Sequence, residues 1–338
     1  MNLGISAVRL SFAGGGTDLP EYYNDFGGNV IASTINHFTY VMSNKRDDGK
    51  FQIFSPEFHA YIKPIPYDKL TCNTKGTELA SSTIKHLNSK DGIDLMLASD
   101  VEPASGLGSS SALTVNLVNT VATLNNKNLT KNELAENAHY IQRHFLNWPM
   151  GKQDEYISAF GGFNFIKFKK DKIKIIPIKL TKLNKKELEN NLMLFYVGGG
   201  THAGILPNQV EQIKKNNQKV MSSLHQVKEL AESMYQALKK SDITKFGELL
   251  HLGWTEKKKF SNNVTNTRID RIYNKLIDTG AVGGKITGAG GGGHMLIYCE
   301  QSSKNKILEE AKNLKLKYIP FKFYSEGAKM VRLYDYKY

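Results

Sequence analysis

Apolar and polar positions follow two periods along the chain, which predicts a mixture of strands and helices. Short apolar runs bounded by turn residues predict strands at Val30 to Ile35, Tyr40 to Ser43 and Phe51 to Phe54. After Gly108, apolar residues recur at helical spacing through S-S-S-A-L-T-V-N-L-V-N-T-V-A-T-L. The first half is therefore predicted to hold several strands and an amphipathic helix.

A second helix is predicted to begin after Thr130, because this residue can cap it while Glu133, three positions later, reaches back. Strands are predicted at Phe163 to Phe168 and Lys172 to Ile178, on either side of a K-K-D turn. From Thr181 to Asn191 the composition turns to Lys, Asn and Glu. We interpret this stretch as the junction between two domains.

The second half begins with a long helical region predicted from Ile205 to Lys240. Further helices are predicted at Asp242 to Leu252, Arg268 to Asp278 and Lys304 to Leu314, and strands at His294 to Cys299, Tyr318 to Phe323 and Lys329 to Tyr334. Interspersed strands and helices indicate a layered α+β protein. Since 338 residues exceed the roughly 250–300 that one core usually serves, we predict two domains, 1–185 and 186–338.

The chain is basic, with 45 Lys+Arg against 32 Asp+Glu and a formal charge of +13. A nucleic-acid-binding protein collects such charges in a stripe, whereas an enzyme acting on anionic small molecules needs a few cations in a cleft. The densest lysine groups, Lys167 to Lys174, Lys182 to Lys186 and Lys257 to Lys259, are interpreted as solvent-facing. Charge alone leaves both classes open.

Location is predicted from what the sequence lacks. No stretch approaches the roughly 18 uninterrupted apolar residues of a membrane helix. The first residues carry neither a basic start nor a sustained apolar stretch, and Cys72 and Cys299 lie far apart without metal-type spacing. We therefore expect a cytoplasmic protein with reduced cysteines and no membrane partner.

The string P-A-S-G-L-G-S-S-S-A, from Pro103 to Ala112, opens directly into the first predicted helix. Glycines let backbone N–H groups crowd around an anion, and the helix N-terminus adds partial positive charge beside the serines. The alternative is a flexible loop with serine caps. We interpret the string as a phosphate-binding loop, although it completes neither of the two common nucleotide-binding patterns.

Two further strings are rich in glycine. In R-L-S-F-A-G-G-G-T-D, from Arg9 to Asp18, three glycines allow close approach of backbone to a ligand, and a carboxylate can accept hydrogen bonds from hydroxyls; a plain hairpin turn is the alternative. In K-I-T-G-A-G-G-G-G-H, from Lys285 to His294, so many glycines are costly in folding entropy. Close packing against another backbone or a phosphate is therefore expected there.

The string G-K-Q-D-E-Y-I-S-A-F-G-G, from Gly151 to Gly162, offers Asp154 as a candidate general base. A single Asp in a loop is more often a cap or turn residue. Lys152 lies two positions away, and Arg9 could be brought across the fold, so that an opposite charge keeps Asp154 ionised.

Taken together, these strings resemble those of the GHMP small-molecule kinases, the family of galacto-, homoserine, mevalonate and phosphomevalonate kinases. The order and spacing agree over nearly the whole chain. Within the family, R-L-S-F-A-G-G-G-T-D-L-P and G-K-Q-D-E-Y most resemble the kinases of D-glycero-D-manno-heptose 7-phosphate, with L-fucose kinases as close relatives. The resemblance implies an N-terminal ATP-binding domain with a left-handed βαβ unit and a ferredoxin-like C-terminal domain.

The resemblance also implies an activity: transfer of phosphate from ATP to the anomeric hydroxyl of the heptose 7-phosphate, giving the 1,7-bisphosphate for nucleotide-activated heptose. The family's catalytic Asp falls on Asp154, and its first-motif Arg falls on Arg9 as a cation near the base; we add Lys152, from its position in the sequence, as a second supporting cation. Its substrate side is matched by Gly15, Gly16, Thr17, Asp18, Gly288 and Gly290. Its ATP loop is matched by Pro103, Ala104, Ser105, Gly106, Leu107, Gly108, Ser109, Ser110 and Ser111.

The expected cofactor is Mg²⁺, with Ser110 matching the family's metal-contacting hydroxyl. Two positions depart from the family pattern. Gln142 stands where many members carry a magnesium-binding Glu, so either ATP, water and Ser110 hold the metal, which we prefer, or Glu136 serves instead. His202 stands where relatives often carry an arginine, which would make a phosphate contact there sensitive to pH.

The acceptor's own phosphate is expected to contact Lys285, Thr201 or His202, although each could equally be an ordinary surface residue. Two alternatives stay open at this point. An unphosphorylated sugar such as L-fucose could be the acceptor, or the chain could be a basic RNA-binding protein of similar fold, with the glycine strings then unexplained.

Overall fold

The computed structural model describes residues 1–199 and 204–333. The strands, in chain order, are β1 (Asn2–Ala13), β2 (Gly28–Arg46), β3 (Phe51–Ser55), β4 (Ala60–Ile65), β5 (Gly92–Ser99), β6 (Phe163–Lys169), β7 (Lys172–Pro177), β8 (Leu192–Gly198), β9 (Ala281–Ile286), β10 (Gly293–Cys299), β11 (Lys317–Ile319) and β12 (Lys329–Arg332). The helices are α1 (Pro20–Phe26), α2 (Glu78–His86), α3 (Ser109–Leu124), α4 (Lys131–Tyr140), α5 (Gln153–Phe160), α6 (Lys182–Asn191), α7 (Ile205–Lys214), α8 (Gln218–Lys239), α9 (Ile243–Lys257), α10 (Thr267–Asp278) and α11 (Lys304–Asn313).

The larger sheet is organised around β2, which pairs with β1, β5 and β6. Its main order is β12-β1-β2-β5-β3-β4, and β7 continues it beside β6. Two separate strands were expected at Val30 to Ile35 and Tyr40 to Ser43, but β2 is continuous through both. The polar residues between them stay in the strand because Thr39 continues both ladders, opposite Ser6 and Ser99.

The smaller sheet has the order β11-β8-β10-β9, and every pair in it is antiparallel. Numbered from β8, this is the order 4-1-3-2. The helices α7 to α10 separate β8 from β9, and α11 separates β10 from β11, which gives the βαββαβ pattern of a ferredoxin-like unit. The two-domain α+β architecture expected from the sequence is therefore confirmed.

Several helix ends follow the local signals. The hydroxyl of Thr130 accepts a hydrogen bond from the Glu133 backbone N–H, and the Glu133 carboxylate accepts one from the Thr130 N–H, so the predicted capping box is present. The single helix expected from Ile205 to Lys240 is two helices, α7 and α8. It breaks because the Asn217 side chain caps the backbone N–H groups that begin α8.

The expected domain junction is not an irregular linker. It forms α6, whose N-terminus is capped by the Thr181 hydroxyl and whose Leu188 is buried. The last strand does not follow the predicted division at residue 185. It is β12, which returns to the larger sheet and pairs with β1, with Asn2 opposite Arg332. Residues 329–332 thus belong to the first sheet, while the other limits of the two domains stay predictions.

Aromatic packing joins the two halves of the molecule. Phe12 of β1 stacks on Phe163 of β6 with 5.1 Å between ring centroids, and it meets Phe246 of α9 edge-on at 5.2 Å. This contact packs the start of α9 against β1, while Lys257 at the end of α9 lines a cavity together with Gly15 and Gly16 of the first glycine-rich string, Arg9 to Asp18. Across the described residues, no helix combines the length and apolar character that a bilayer crossing demands.

Candidate active site

In chain order the second glycine-rich string is Pro103 to Ala112 and the third is Lys285 to His294, and these two lie directly against each other. A Cβ placed on Gly106 would come within 2.8 Å of the Thr287 carbonyl oxygen, and one on Gly288 within 2.6 Å of the Gly106 Cα. A Cβ on Gly293 would be 2.5 Å from the Ser105 carbonyl oxygen. The third string is therefore glycine-rich because backbone packs on backbone there, as the sequence analysis expected.

His294 fixes the same contact from the strand that follows. Its Nδ1 lies 2.8 Å from the Ser105 carbonyl oxygen, and a carbonyl can only accept, so Nδ1 carries the proton. Burial lowers the pKa of His294, although the hydrogen bond to Ser105 opposes that shift. The neutral imidazole serves as a clamp on the phosphate-binding loop.

Arg9 and Asp154 form a buried, two-pronged ion pair. Arg9 Nε and Nη2 each donate to one oxygen of the Asp154 carboxylate at 2.6 Å, and Arg9 is 3% exposed. The remaining nitrogen, Nη1, donates to the Gly106 carbonyl oxygen at 2.7 Å, and the Arg9 backbone N–H donates to the Leu107 carbonyl oxygen. One side chain thus links the candidate base to the phosphate-binding loop.

Asp18 joins the first string to the start of α5. Its carboxylate accepts from the Gly16 N–H at 2.9 Å and from the Gln153 N–H at 3.1 Å. Burial and the nearby Asp154 carboxylate raise the pKa of Asp18, and these two N–H groups partly oppose that rise. A Cβ on Gly151 would collide with the Asp18 carboxylate, so this position must be glycine.

The other residues of the first string divide into two groups. Gly15 and Gly16 line the large cavity described below, as a ligand-binding turn would. Thr17 is fully buried, and its hydroxyl donates to the Gly14 carbonyl oxygen and accepts from the Asn29 N–H. The expectation that Thr17 contacts substrate is therefore wrong, because its side chain closes the turn.

The loop before α3 is ordered by burial of alternate residues. Pro103 and Ala104 are exposed, whereas Ser105 and Leu107 are buried under the third string. Gly108 has φ +71°, and a Cβ there would come within 3.0 Å of Asp154 Oδ2. The loop is thereby brought against the candidate base.

The three serines of this loop face different surroundings. Ser110 is exposed at the first turn of α3, and Ser109 lines an adjoining pocket. Ser111 is buried, with its hydroxyl 3.2 Å from Gln142 Oε1 and 3.3 Å from Glu155 Oε1. Ser110 is therefore the most exposed of the three serines and the one that lines both cavities described below.

Lys152 does not reach Asp154. Its ammonium donates to both oxygens of Glu136, at 2.8 and 2.7 Å, and Tyr156 donates to the same carboxylate. It lines a separate polar cavity together with Glu136, His139 and Arg143. The expectation that Lys152 supports the catalytic base is wrong, because the Lys152 ammonium is paired with the Glu136 carboxylate instead.

Lys152→Met is accordingly expected to reduce kcat by less than about fivefold, since the Lys152 ammonium is bonded to Glu136 and does not reach Asp154. Steady-state phosphate transfer at pH 7 would measure the effect. A loss of a hundredfold or more would contradict the geometry and restore Lys152 to the catalytic group.

Lys285 and Gly290 are also absent from the cavity wall. The Lys285 ammonium is buried and donates to the Phe12 carbonyl oxygen at 3.2 Å, and burial with the neighbouring Lys257 and Arg9 lowers its pKa. Gly290 packs on the backbone of Val264. Both expectations of direct substrate contact are wrong, whereas Gly288 does line the cavity.

Thr201 and His202 lie outside the described residues. Their predicted contact with an acceptor phosphate therefore stays a prediction.

Two cavities meet at Ser110. The central cavity, of about 550 Å³, is lined by the polar residues Arg9, Ser11, Asp18, Ser110, Ser111, Gln153, Asp154, Gln209 and Lys257, together with glycines and a few apolar side chains. The apolar pocket, of about 100 Å³, is lined by side chains that include Phe58, Leu79, Leu97, Val101, Leu113 and Trp148. Ala104, Ser110 and Trp148 line both. A molecule with one apolar and one anionic end could occupy the two together.

Sequence analysis missed several residues of the central cavity, among them Lys257 and Gln209. Lys257 is buried rather than solvent-facing, because it lies three positions after the buried Trp254 and seven after the buried Leu250 on one face of α9. That spacing was the sequence signal that could have identified Lys257 as a buried residue. Gln209 is buried beside Gly16, and its amide nitrogen has no partner among the described residues. No sequence signal pointed to it.

The side chains around the cavity do not form a resident magnesium site. Within the described ranges, no group of three or more His, Cys, Asp or Glu could hold a metal ion. Gln142 is fully buried beside Ser111, Glu136 is occupied by Lys152 and Tyr156, and Asp154 is held by Arg9. Neither Gln142 nor Glu136 therefore supplies a free carboxylate that could bind magnesium together with Ser110.

Comparison with known proteins agrees with this geometry. Residues 77–162 match the family "GHMP kinases N terminal domain", and residues 234–315 match "GHMP kinases C terminal". D-glycero-alpha-D-manno-heptose 7-phosphate kinase of Campylobacter jejuni is 31% identical over 96% of this chain and 97% of that protein. The match is thus to a protein of nearly the same extent.

Two more distant similarities cover the same span. L-fucokinase/L-fucose-1-P guanylyltransferase of Bacteroides fragilis is 24% identical over 97% of this chain, which spans only 38% of that longer protein. The crystal structure of a D-glycero-D-manno-heptose 1-phosphate kinase from Bacteroides thetaiotaomicron superposes with a TM-score of 0.83, at 24% identity, over 99% of this chain and 100% of that one. With both family domains matched in order and a relative above 30% identity along nearly its whole length, the chain belongs to the GHMP kinase family.

Proposed function

We propose that this kinase transfers the γ-phosphate of ATP to the anomeric hydroxyl of D-glycero-D-manno-heptose 7-phosphate, giving the 1,7-bisphosphate for nucleotide-activated heptose and surface polysaccharide. The observation that carries the proposal is the Arg9–Asp154 pair, which joins a candidate base to the phosphate-binding loop inside a sugar-sized cavity. The choice of sugar is supported by the name of the Campylobacter relative.

ATP is proposed to span both cavities. Its base would occupy the apolar pocket, and its phosphates would cross the N-terminus of α3 at Ser109 and Ser110 into the central cavity. The first N–H groups of a helix have no partners within the helix, and they attract anions. The serine hydroxyl and these N–H groups would then direct the γ-phosphate towards Asp154.

The transfer itself requires one proton acceptor and charge neutralisation. Asp154 would take the proton of the anomeric hydroxyl as its oxygen forms a bond to the γ-phosphorus, and the bond from that phosphorus to the bridging oxygen of ADP breaks. The Arg9 guanidinium stays on the Asp154 carboxylate and fixes its direction. Gly15, Gly16, Asp18 and the Gln209 amide nitrogen, all of which line the cavity, would contact sugar hydroxyls.

Magnesium belongs to this proposal only as a companion of the ATP phosphates, with Ser110 as a contact from the chain. Kinase sites commonly hold Mg²⁺ mainly through substrate phosphates and water. The cytoplasm is proposed as the location because ATP is available there. Cys72 and Cys299 are both free thiols, which agrees with a reducing compartment.

The test is ATP consumption with heptose 7-phosphate, unphosphorylated heptose and L-fucose, assayed side by side. We expect kcat/KM to be highest with heptose 7-phosphate by at least tenfold. Equal rates with the two heptoses would contradict the requirement for a 7-phosphate. Preference for L-fucose would overturn the assignment of the sugar, and a salt-sensitive shift with RNA in the absence of any sugar-dependent ATP consumption would favour the nucleic-acid alternative.

A further inference from the structure

Lys257 is a buried cation without a carboxylate partner of its own among the described residues. It is 7% exposed, and its ammonium donates to the Gly288 carbonyl oxygen at the point where the third glycine string meets the second. It also lines the central cavity. A buried ammonium is stable only when it is well partnered, and one carbonyl leaves two of its three protons unused.

The charged groups around Lys257 leave room for an anion. Arg9 of β1, Asp18 of the first string and Asp154 of α5 face Lys257 from three elements. Lys285 of β9 is also close, and the charge of Lys257 contributes to lowering the pKa of Lys285. Asp154 is already held by Arg9, and Asp18 by two backbone N–H groups. Neither carboxylate is therefore free to pair with Lys257, and a phosphate group would supply an acceptor for the protons that its ammonium leaves unused.

We propose that Lys257 is a catalytic residue that contacts the γ-phosphoryl group of ATP as it passes to the acceptor. This inference rests on the proposed function. Lys257 lines the same cavity as the Arg9–Asp154 pair and Ser110, and it is bonded to Gly288, which packs on Gly106 of the phosphate-binding loop. The transferring group must pass between those two features, whereas the acceptor's own phosphate lies at the opposite end of the sugar from the reacting hydroxyl.

The charge of Lys257 gives the proposal a pH signature. Burial, and to a lesser extent Arg9, lower the pKa of Lys257 to about 8, while Asp18 and Asp154 oppose the shift. The cation is therefore present in the free enzyme below about pH 8 and lost as the pH rises through that value. We expect kcat/KM to fall above about pH 8.

The experiment compares Lys257→Met with Lys259→Met, a matched control from the same lysine run whose ammonium pairs with Glu256 at the surface. In Lys257→Met, kcat should fall by about 10²–10³-fold, as when one preorganised donor to a developing charge is removed. The fall in kcat/KM near pH 8 should disappear. The control should retain wild-type kcat and pH dependence. The melting temperature of each variant should lie within a few degrees of the wild-type value.

Three results would overturn the assignment. A kcat within about threefold of wild type in Lys257→Met would do so. A fall in kcat/KM near pH 8 that persists in Lys257→Met would also overturn it. A loss seen with a phosphorylated acceptor but not with the corresponding free sugar would assign Lys257 to the acceptor's phosphate instead.

Calorimetry separates this inference from the proposed function. If Lys257 contacts the γ-phosphate, Lys257→Met should bind a nonhydrolysable ATP analogue at least fivefold more weakly while ADP affinity stays unchanged. This measurement needs no sugar, so it is informative even if wild type phosphorylates none of the sugars assayed. Unchanged affinity for both nucleotides would contradict the contact, and absence of turnover in wild type would contradict only the proposed acceptor.

Discussion

Replacing Asp154 by Asn is expected to lower kcat by about a thousandfold, while the affinity for ATP changes by less than about twofold. The substitution keeps the shape of the side chain and leaves an oxygen that can accept from Arg9 at one of the two positions now used. It removes the group proposed to take the acceptor's proton. Because the proposed ATP contacts belong to the loop before α3, binding should survive where transfer does not.

The measurement for Asp154→Asn combines steady-state turnover with calorimetric binding of an ATP analogue. Asp171→Asn is a suitable control, because Asp171 lies in the exposed turn between β6 and β7. A variant that turns over at more than about a tenth of the wild-type rate would show that another group accepts the proton. An equal loss of ATP affinity would show instead that Asp154 organises the phosphate-binding loop.

Gly288→Ala is expected to destabilise the protein by about 3 kcal/mol and to abolish tight ATP binding. Its φ is +65°, a conformation that costs a residue with a side chain about 1–3 kcal/mol. The added Cβ would also lie 2.6 Å from the Gly106 Cα, and overpacking adds a cost of similar size. The backbone would have to separate, which moves the phosphate-binding loop away from the Arg9–Asp154 pair.

Urea unfolding of Gly288→Ala, followed by far-UV circular dichroism, measures the stability. The control is Gly253→Ala in α9, where a Cβ meets nothing within 4 Å. Alanine is the better helix former by about 0.5–1 kcal/mol, so the control should be as stable as wild type or more stable. Equal midpoints for Gly288→Ala and wild type would mean that the contact between the two strings is not tight in solution.

Local signals in the sequence were sufficient for α3, α4, α9, α10 and α11 and for the glycine-rich strings, whereas α1, α2 and α5 were not predicted. The capping box at Thr130 and Glu133 and the start of α3 at Ser109 each involve residues within one helical turn, where the interacting groups are close in sequence. Strand limits were less certain. Pairing decides them, and the partners of Thr39 in β2 lie 33 and 60 residues away.

The candidate base and its arginine were predicted together, but only because their strings resemble those of a known family. Spacing alone cannot show that residues 9 and 154 meet. Lys152 illustrates the limit, since its proximity in sequence to Asp154 suggested a catalytic role that the nearer Glu136 carboxylate prevents. Lys257 illustrates the opposite case, where a lysine in a charged run is buried by the helix face that it occupies.

The sequence by itself determined the α+β class, the start of α3 and the positions where backbone must come close to backbone, because glycine, capping residues and apolar periodicity act over a few residues. Only the tertiary structure decided which charges face the cavity, which polar side chains close turns, and that β12 returns to β1. The reason is physical: a charged side chain takes the partner that the packed chain brings nearest, and residues far apart in sequence supply that partner.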